Sequence, residues 1–279
     1  MQNLAACKVL YAHGLGRKTS EAQNYCDLIH EKIIGVCGPE WDGTDSSVKA
    51  CLNSHLGQGR DVDAVVQEIK KNIEQDSSVE IVLVGFSKGA TTMLNVFLRF
   101  LQEKSDYLKH IKAIILDSPF ADPANVLFYK MGLFFPKNYD VKKSISIKDI
   151  ALMSDNFDSD IVIVFMHLQK DIIVPINDSR QLYVELKELG FFNNLYLIEV
   201  PGGGHGYGCI HKSRDWLKER LFFIYAKHNL LLSPEVNKKG KQLMKQCSPE
   251  NFLKNDVDWL ENAQPSVEEV EKKIISCCF

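Results

Sequence analysis

The chain has 279 residues, which allows one large domain or two small ones at about 150 residues per domain. Hydrophobic residues make up 45% and charged residues 25%, ordinary globular values that exclude a disordered, collagen-like or coiled-coil chain. Lys+Arg 33 against Asp+Glu 36 leaves a net charge of −3, so no bulk field attracts nucleic acid and no nucleic-acid partner is expected. No apolar run reaches the roughly 18 residues of a membrane span. Residues 1–8 lack a basic start and an apolar stretch of signal-peptide length, so a cytoplasmic location is expected. The cysteines Cys7, Cys26, Cys37, Cys51, Cys209, Cys247, Cys277 and Cys278 form no C-x-x-C pair and read as free thiols in a reducing compartment.

In chain order, Val9 to Ala12 predicts a strand that ends at His13-Gly14-Leu15-Gly16. A helix is predicted from about Ser20 to Ile34, stopped by Gly35. Residues 37–60 are irregular, with room for a short strand that nothing locates. Val62, Val65, Val66, Ile69 and Ile73 share a helical face. The run Glu80 to Gly85 reads as a strand buried on both faces. Met93, Val96, Phe97, Phe100 and Leu101 stripe a second helix. Strands follow at Ala113 to Leu116 and Ile161 to Met166, then a helix carrying Leu182, Leu186 and Leu189 that stops at Gly190. Leu195 to Val200 is the last clear strand, and a helix from about Lys212 to Lys227 closes the series. This alternation predicts an α/β fold, a mostly parallel, doubly wound sheet with helices on both faces.

Two segments fall outside the rhythm. Residues 118–158 form a lid-like insertion with a greasy centre around Phe128, Met131, Phe134 and Phe135. Residues 233–279 form a helical extension, with helix starts at Ser233-Pro234, Ser248-Pro249 and Ser266 with Glu269. Residues 1–232 are expected to be one domain, with the extension packed on it.

The chemistry centres on Gly85-Phe86-Ser87-Lys88-Gly89-Ala90, which leaves a buried strand and opens a helix. That is the context of a nucleophile elbow, where the chain turns so sharply that glycine is favoured two residues either side of the serine. A serine hydroxyl needs a base. His205 stands on the Gly-rich stretch Pro201 to Gly206 directly after the last strand, unlike His13, His55, His110, His167 and His211. Asp171, just past a strand end, is the acceptor expected to orient His205, with Asp117 at the end of an earlier strand as the rival. Asp160 and Asp178 read as caps. The backbone N–H groups of Lys88 and of Leu15 are the expected oxyanion donors, with Gly16 the alternative to Leu15. Phe86, Phe128, Met131 and Phe134 are the candidate substrate contacts.

These residues together resemble the α/β-hydrolase superfamily over about residues 8–228, with the motifs in the order Ser87, Asp171, His205. The stretch Gln169 to Pro175, the helix with Leu182-Tyr183 and Gly204-His205-Gly206 are similar to the branch of dienelactone-hydrolase-like enzymes, prolyl-oligopeptidase-like domains and acyl-protein thioesterases. Asp117-Ser118-Pro119-Phe120 and the aromatic segment before Val141-Lys142-Lys143 are similar to abhydrolase-domain depalmitoylase-like proteins. Lys88, a bulky cation beside the serine, and Ala90, where many lipases carry glycine, depart from the common pattern.

The resemblance implies a serine hydrolase that cleaves a carboxylic ester or thioester through an acyl-enzyme, with no cofactor and no metal. The greasy insertion makes a lipid or other acylated small molecule the expected partner. An acyltransferase on the same triad, or a non-catalytic binding protein on this fold, are the alternatives. No oligomeric state is signalled. Nor is membrane association: the terminal Ser276-Cys277-Cys278-Phe279 has serine where a C-a-a-X box needs cysteine.

Overall fold

The computed structural model describes residues 7–26, 28–29, 33–35, 55–126, 147, 160–191, 193–205, 208–211, 214–230 and 234–246. Among them, six strands form one parallel sheet: β1 (Cys7–Ala12), β2 (Ile33–Gly35), β3 (Glu80–Phe86), β4 (Ile111–Asp117), β5 (Val162–Lys170) and β6 (Leu195–Gly203). Their order is β2-β1-β3-β4-β5-β6. The helices are α1 (Arg60–Gln75), α2 (Lys88–Gln102), α3 (Ile176–Glu188), α4 (Arg214–Lys227) and α5 (Pro234–Gln246).

Alternating side chains explain the layers, because successive strand residues point to opposite faces. Leu10, Leu83, Ile114, Ile163 and Phe165 lie in a core with Val65, Ile69, Phe97 and Leu186 of α1, α2 and α3. Val9, Tyr11, Val84, Ile115 and Val164 lie in the other, with Leu217, Leu221 and Tyr225 of α4. Strands buried on both faces carry continuous apolar runs.

The strand order reverses between β1 and β3. Chains therefore leave in opposite directions at the carboxyl ends of these two neighbours, opening the crevice where α/β proteins place their sites. Phe86, Ser87 and Gly14 meet in this crevice.

The stretch predicted as one helix from Ser20 to Ile34 folds otherwise. A short 3-10 helix spans Thr19–Tyr25, and Ile33–Gly35 is the edge strand β2, paired with Val9, Leu10 and Tyr11. The β-branched Ile33 and Ile34 favour this pairing. Gly35 ends a strand rather than a helix, and a Cβ there would sit 1.7 Å from Thr19 Cγ2. The last strand continues through Pro201, Gly202 and Gly203, because it pairs with an equally long β5 as far as Lys170.

Most of the 118–158 insertion, including Phe128, Met131, Phe134 and Phe135, lies outside the described residues, as do Ser248-Pro249, Ser266 and the terminal cysteines. α5 begins at Pro234 and rests on α4: Val236 is buried, and a Cβ on Gly240 would lie 2.3 Å from the Phe222 carbonyl. Among the described residues, no helix is long and apolar enough to cross a membrane.

Among the described residues, the tightest approach of a glycine to another segment's backbone is at Gly89, where a Cβ would lie 2.0 Å from the Ala12 carbonyl oxygen. Backbone cannot yield as a flexible side chain does. Gly89→Ala is therefore expected to destabilise by about 3 kcal/mol or more, read as a lowered urea midpoint at unchanged m.

Candidate active site

The site is built at the carboxyl ends of β1, β3, β5 and β6. Ser87 leaves β3 and begins α2 with φ 53° and ψ −116°, a left-handed backbone that a non-glycine residue adopts only where its surroundings enforce it. Gly85 and Gly89 make the turn sterically possible: a Cβ on Gly85 would lie 2.4 Å from Gly89 O. Ser87 N donates to the Asp117 carbonyl at 2.7 Å, tying the elbow to β4.

Ser87 Oγ lies 2.8 Å from His205 Nε2, and His205 Nδ1 lies 2.7 Å from Asp171 Oδ2. A carboxylate only accepts, so Nδ1 carries the proton and Nε2 is left to accept from the serine hydroxyl. The Phe86 ring stacks on the imidazole at 5.0 Å between centroids. Burial pushes the Asp171 carboxyl up. The His205 hydrogen bond and charge, with N–H bonds from Val174 and Ile173, outweigh that and hold it below the ordinary carboxylate value. It therefore stays ionised beside the imidazole.

The rival acid, Asp117, faces another way. Its carboxylate accepts from Tyr25 OH at 3.0 Å, Ser118 Oγ at 3.0 Å and the Cys209 N–H at 3.0 Å. It is fully buried, and burial raises it to about 6 against the pull of these donors. Asp178, expected as a cap, is also turned elsewhere. From the first turn of α3 it accepts from Ala121 N at 3.0 Å and Asn125 Nδ2 at 3.1 Å, because the loop after β4 passes close by.

Two side-chain roles at this site carried no sequence signal. His167 is wholly buried on β5, where its Nε2–H donates to Val174 O at 2.9 Å and its Nδ1 accepts from Ser179 Oγ at 2.7 Å. It braces the turn that presents Asp171, and burial lowers it to about 4, so it is neutral. Lys88, which looked anomalous beside the serine, is only 2% exposed, with Nζ 3.4 Å from Asp61 Oδ1 on α1. Asp61 also accepts the Gly57 N–H at 2.8 Å, fastening the loop that carries Leu56. A long-range partner of this kind has no fixed spacing to read.

A cavity of about 230 Å³ opens onto Ser87 and His205. Leu15, Leu56, Phe86, Phe120, Val126 and Ile173 make its wall apolar, and Lys88 and Arg17 also line it. Leu15, Lys88 and Phe86 thus gather at Ser87; Phe128, Met131 and Phe134 lie outside the described residues. Among the described residues, no three His, Cys, Asp or Glu side chains cluster as a metal requires.

The neutral, buried His167 makes stability depend on pH. Its folded pKa lies below its unfolded value of about 6.5, so the unfolded chain binds the extra proton, and its contribution is lost as pH falls from about 6.5 toward 4. His167→Gln should flatten this dependence. Denaturation at about pH 7.5 and about pH 4 is expected to show the wild type's advantage over the variant shrinking by on the order of 3 kcal/mol.

No protein-family model and no curated protein sequence matches the chain. Solved structures do. An acylaminoacyl peptidase of Pyrococcus horikoshii aligns at 17% identity and TM-score 0.55, over 84% of this chain and 39% of its own. A puromycin-hydrolyzing peptidase of Mycobacterium tuberculosis aligns at 13% identity and TM-score 0.55, over 81% and 34%. An esterase of Pyrococcus furiosus aligns at 16% identity and TM-score 0.50, over 81% and 84%. This chain thus spans well under half the length of the two peptidases. At such identities the likeness is one of architecture, and the chain has the α/β-hydrolase fold.

Proposed function

We propose that the chain is a serine hydrolase that cleaves a carboxylic ester or thioester through an acyl-enzyme. The reading rests on the chain of hydrogen bonds from Ser87 Oγ through His205 to Asp171, 2.8 and 2.7 Å long, at the mouth of an apolar cavity. Ser87 Oγ attacks the substrate carbonyl as His205 Nε2 takes its proton. Asp171 holds the ring and stabilises the imidazolium. The developing oxyanion falls to the N–H groups of Lys88 and Leu15, each such donor worth about 3 kcal/mol in the transition state. His205 then protonates the leaving alcohol or thiol. Water, activated by the same imidazole, releases the acid and restores Ser87.

The apolar wall favours an acyl chain as the group held in the cavity. The fold likeness to an esterase and to two peptidases agrees with acyl transfer to water. The cavity leads toward the 118–158 insertion at Phe120 and Val126, so Phe128, Met131 and Phe134 are proposed to extend the acyl site.

A fluorophosphonate probe should label the wild type, and Ser87→Ala should abolish labelling; labelling that persists in the variant would put the nucleophile elsewhere. Asp171→Asn should keep the fold and lower kcat by about 10⁴, measured on p-nitrophenyl esters. Esters and thioesters of graded chain length should show activity rising beyond acetate, and a flat response would remove the acyl-site assignment.

A further inference from the structure

One buried aspartate has no part in the proposed chemistry, yet its backbone bonds Ser87 and its carboxylate bonds the segment that follows His205. Asp117 is 0% exposed at the carboxyl end of β4. Burying a carboxylate is costly unless donors surround it, and here Tyr25, Ser118 and Cys209 supply them. An apolar side chain would fill this part of the core at less cost, so what the acceptor oxygens hold in place matters.

Through its backbone Asp117 holds the nucleophile: its carbonyl accepts from Ser87 N at 2.7 Å. Through its side chain it holds the segment after the base. Cys209 N–H is shared between Oδ1 at 3.2 Å and Oδ2 at 3.0 Å. Gly208 is pressed on the same carboxylate, for a Cβ there would lie 2.4 Å from Asp117 Oδ2 and 3.2 Å from Phe86 Cδ2. Gly208 N donates in turn to the His205 carbonyl at 3.3 Å.

His205 therefore hangs between two fastenings. On its amino side, β6 ends at Gly203 opposite Lys170, beyond which Gly204 N reaches Lys170 O at only 3.4 Å, and Gly202 and Gly204 sit at φ 121° and 94°. Glycines in such conformations define no ring position by themselves. On its carboxyl side the Cys209 N–H is shared over two oxygens of a buried side chain, which fixes the segment that no strand pairing holds.

We infer that Asp117 is a positioning residue for the proposed reaction, its carbonyl seating Ser87 and its carboxylate seating Cys209 so that Ser87 Oγ and His205 Nε2 stay within hydrogen-bonding distance. This rests on reading Ser87 and His205 as nucleophile and base. Asp117 does not relay a proton; Asp171 occupies His205 Nδ1. Its effect belongs to the chemical step and not to substrate binding, since it does not line the cavity wall.

The test compares the wild type, Asp117→Ala, Asp117→Asn and Gly208→Ala, with competent sites counted by fluorophosphonate labelling run to completion. Asp117→Ala is expected to lose about a hundredfold in kcat per labelled site, with KM on a p-nitrophenyl ester within about twofold of wild type. Asp117→Asn keeps the shape and one acceptor for Cys209 N–H, and should recover most of the loss. Gly208→Ala leaves Asp117 in place but pushes the loop off it, and should reproduce the Ala pattern. Wild-type kcat per site in Asp117→Ala, with only a lowered melting temperature, would reduce the carboxylate to a structural role and overturn the inference. So would an Asn variant no better than Ala. If Asp117→Ala does not fold, Gly208→Ala with wild-type kcat overturns it instead. A wild type that takes no label sinks the serine-hydrolase reading itself, which separates that failure from this one.

Discussion

The backbone of α2 touches the backbone of β1, and the candidate site follows from that contact. Gly89 lies so near the Ala12 carbonyl that no side chain fits between them. That approach draws the first turn of α2 under the end of β1 and forces the chain at Ser87 into a left-handed conformation. The serine is thereby lifted clear of the sheet, with the helix amino terminus beneath it and the His13 to Gly16 loop beside it. Helix amino termini favour negative charge, so the strained turn and the place where an oxyanion would form are one feature.

Around this turn the protein buries several ionisable groups, each supported from a different element. Lys88 meets Asp61 of α1, Asp171 meets His205 and the amides after it, and Asp117 meets Tyr25, Ser118 and Cys209. His167 is buried without charge, held by Ser179 and the Val174 carbonyl. Removing one partner of a buried pair usually costs more than the pair contributes, so these contacts fix geometry even where they add little net stability. Polar groups held this way need little reorganisation when charge develops nearby.

Much of this was legible in the residues and part of it was not. Strands buried on both faces carry unbroken apolar runs, so β3, β4 and β5 stand out, and the stripes of α1, α2 and α3 follow helical spacing. The elbow is local, because its glycines act on their own turn. The edge strand β2 was obscured: three residues are too few for a pattern, and Gly35 looks the same ending a strand or a helix. The end of β6 is hidden because Pro201-Gly202-Gly203 has loop composition, yet β5 supplies a partner for it. Leu56, His167 and the Lys88–Asp61 pair had no marker, since their roles depend on neighbours at no fixed chain spacing, 12 residues on for His167 and 27 back for Lys88.

The sequence by itself determined which segments are strands and helices in the centre of the sheet, where the chain must turn at Ser87, and which histidine and carboxylate follow the last strands. These depend on near neighbours: side-chain periodicity, glycine at a tight turn, order along the chain. Only the tertiary structure decided that Asp171 and not Asp117 meets His205, that Asp178 holds the loop after β4 instead of capping its helix, and that Lys88 is a buried ion-pair partner. Strand order and register set those outcomes, because a carboxylate's role depends on which donors the packed sheet brings to it, and chain spacing does not encode that distance.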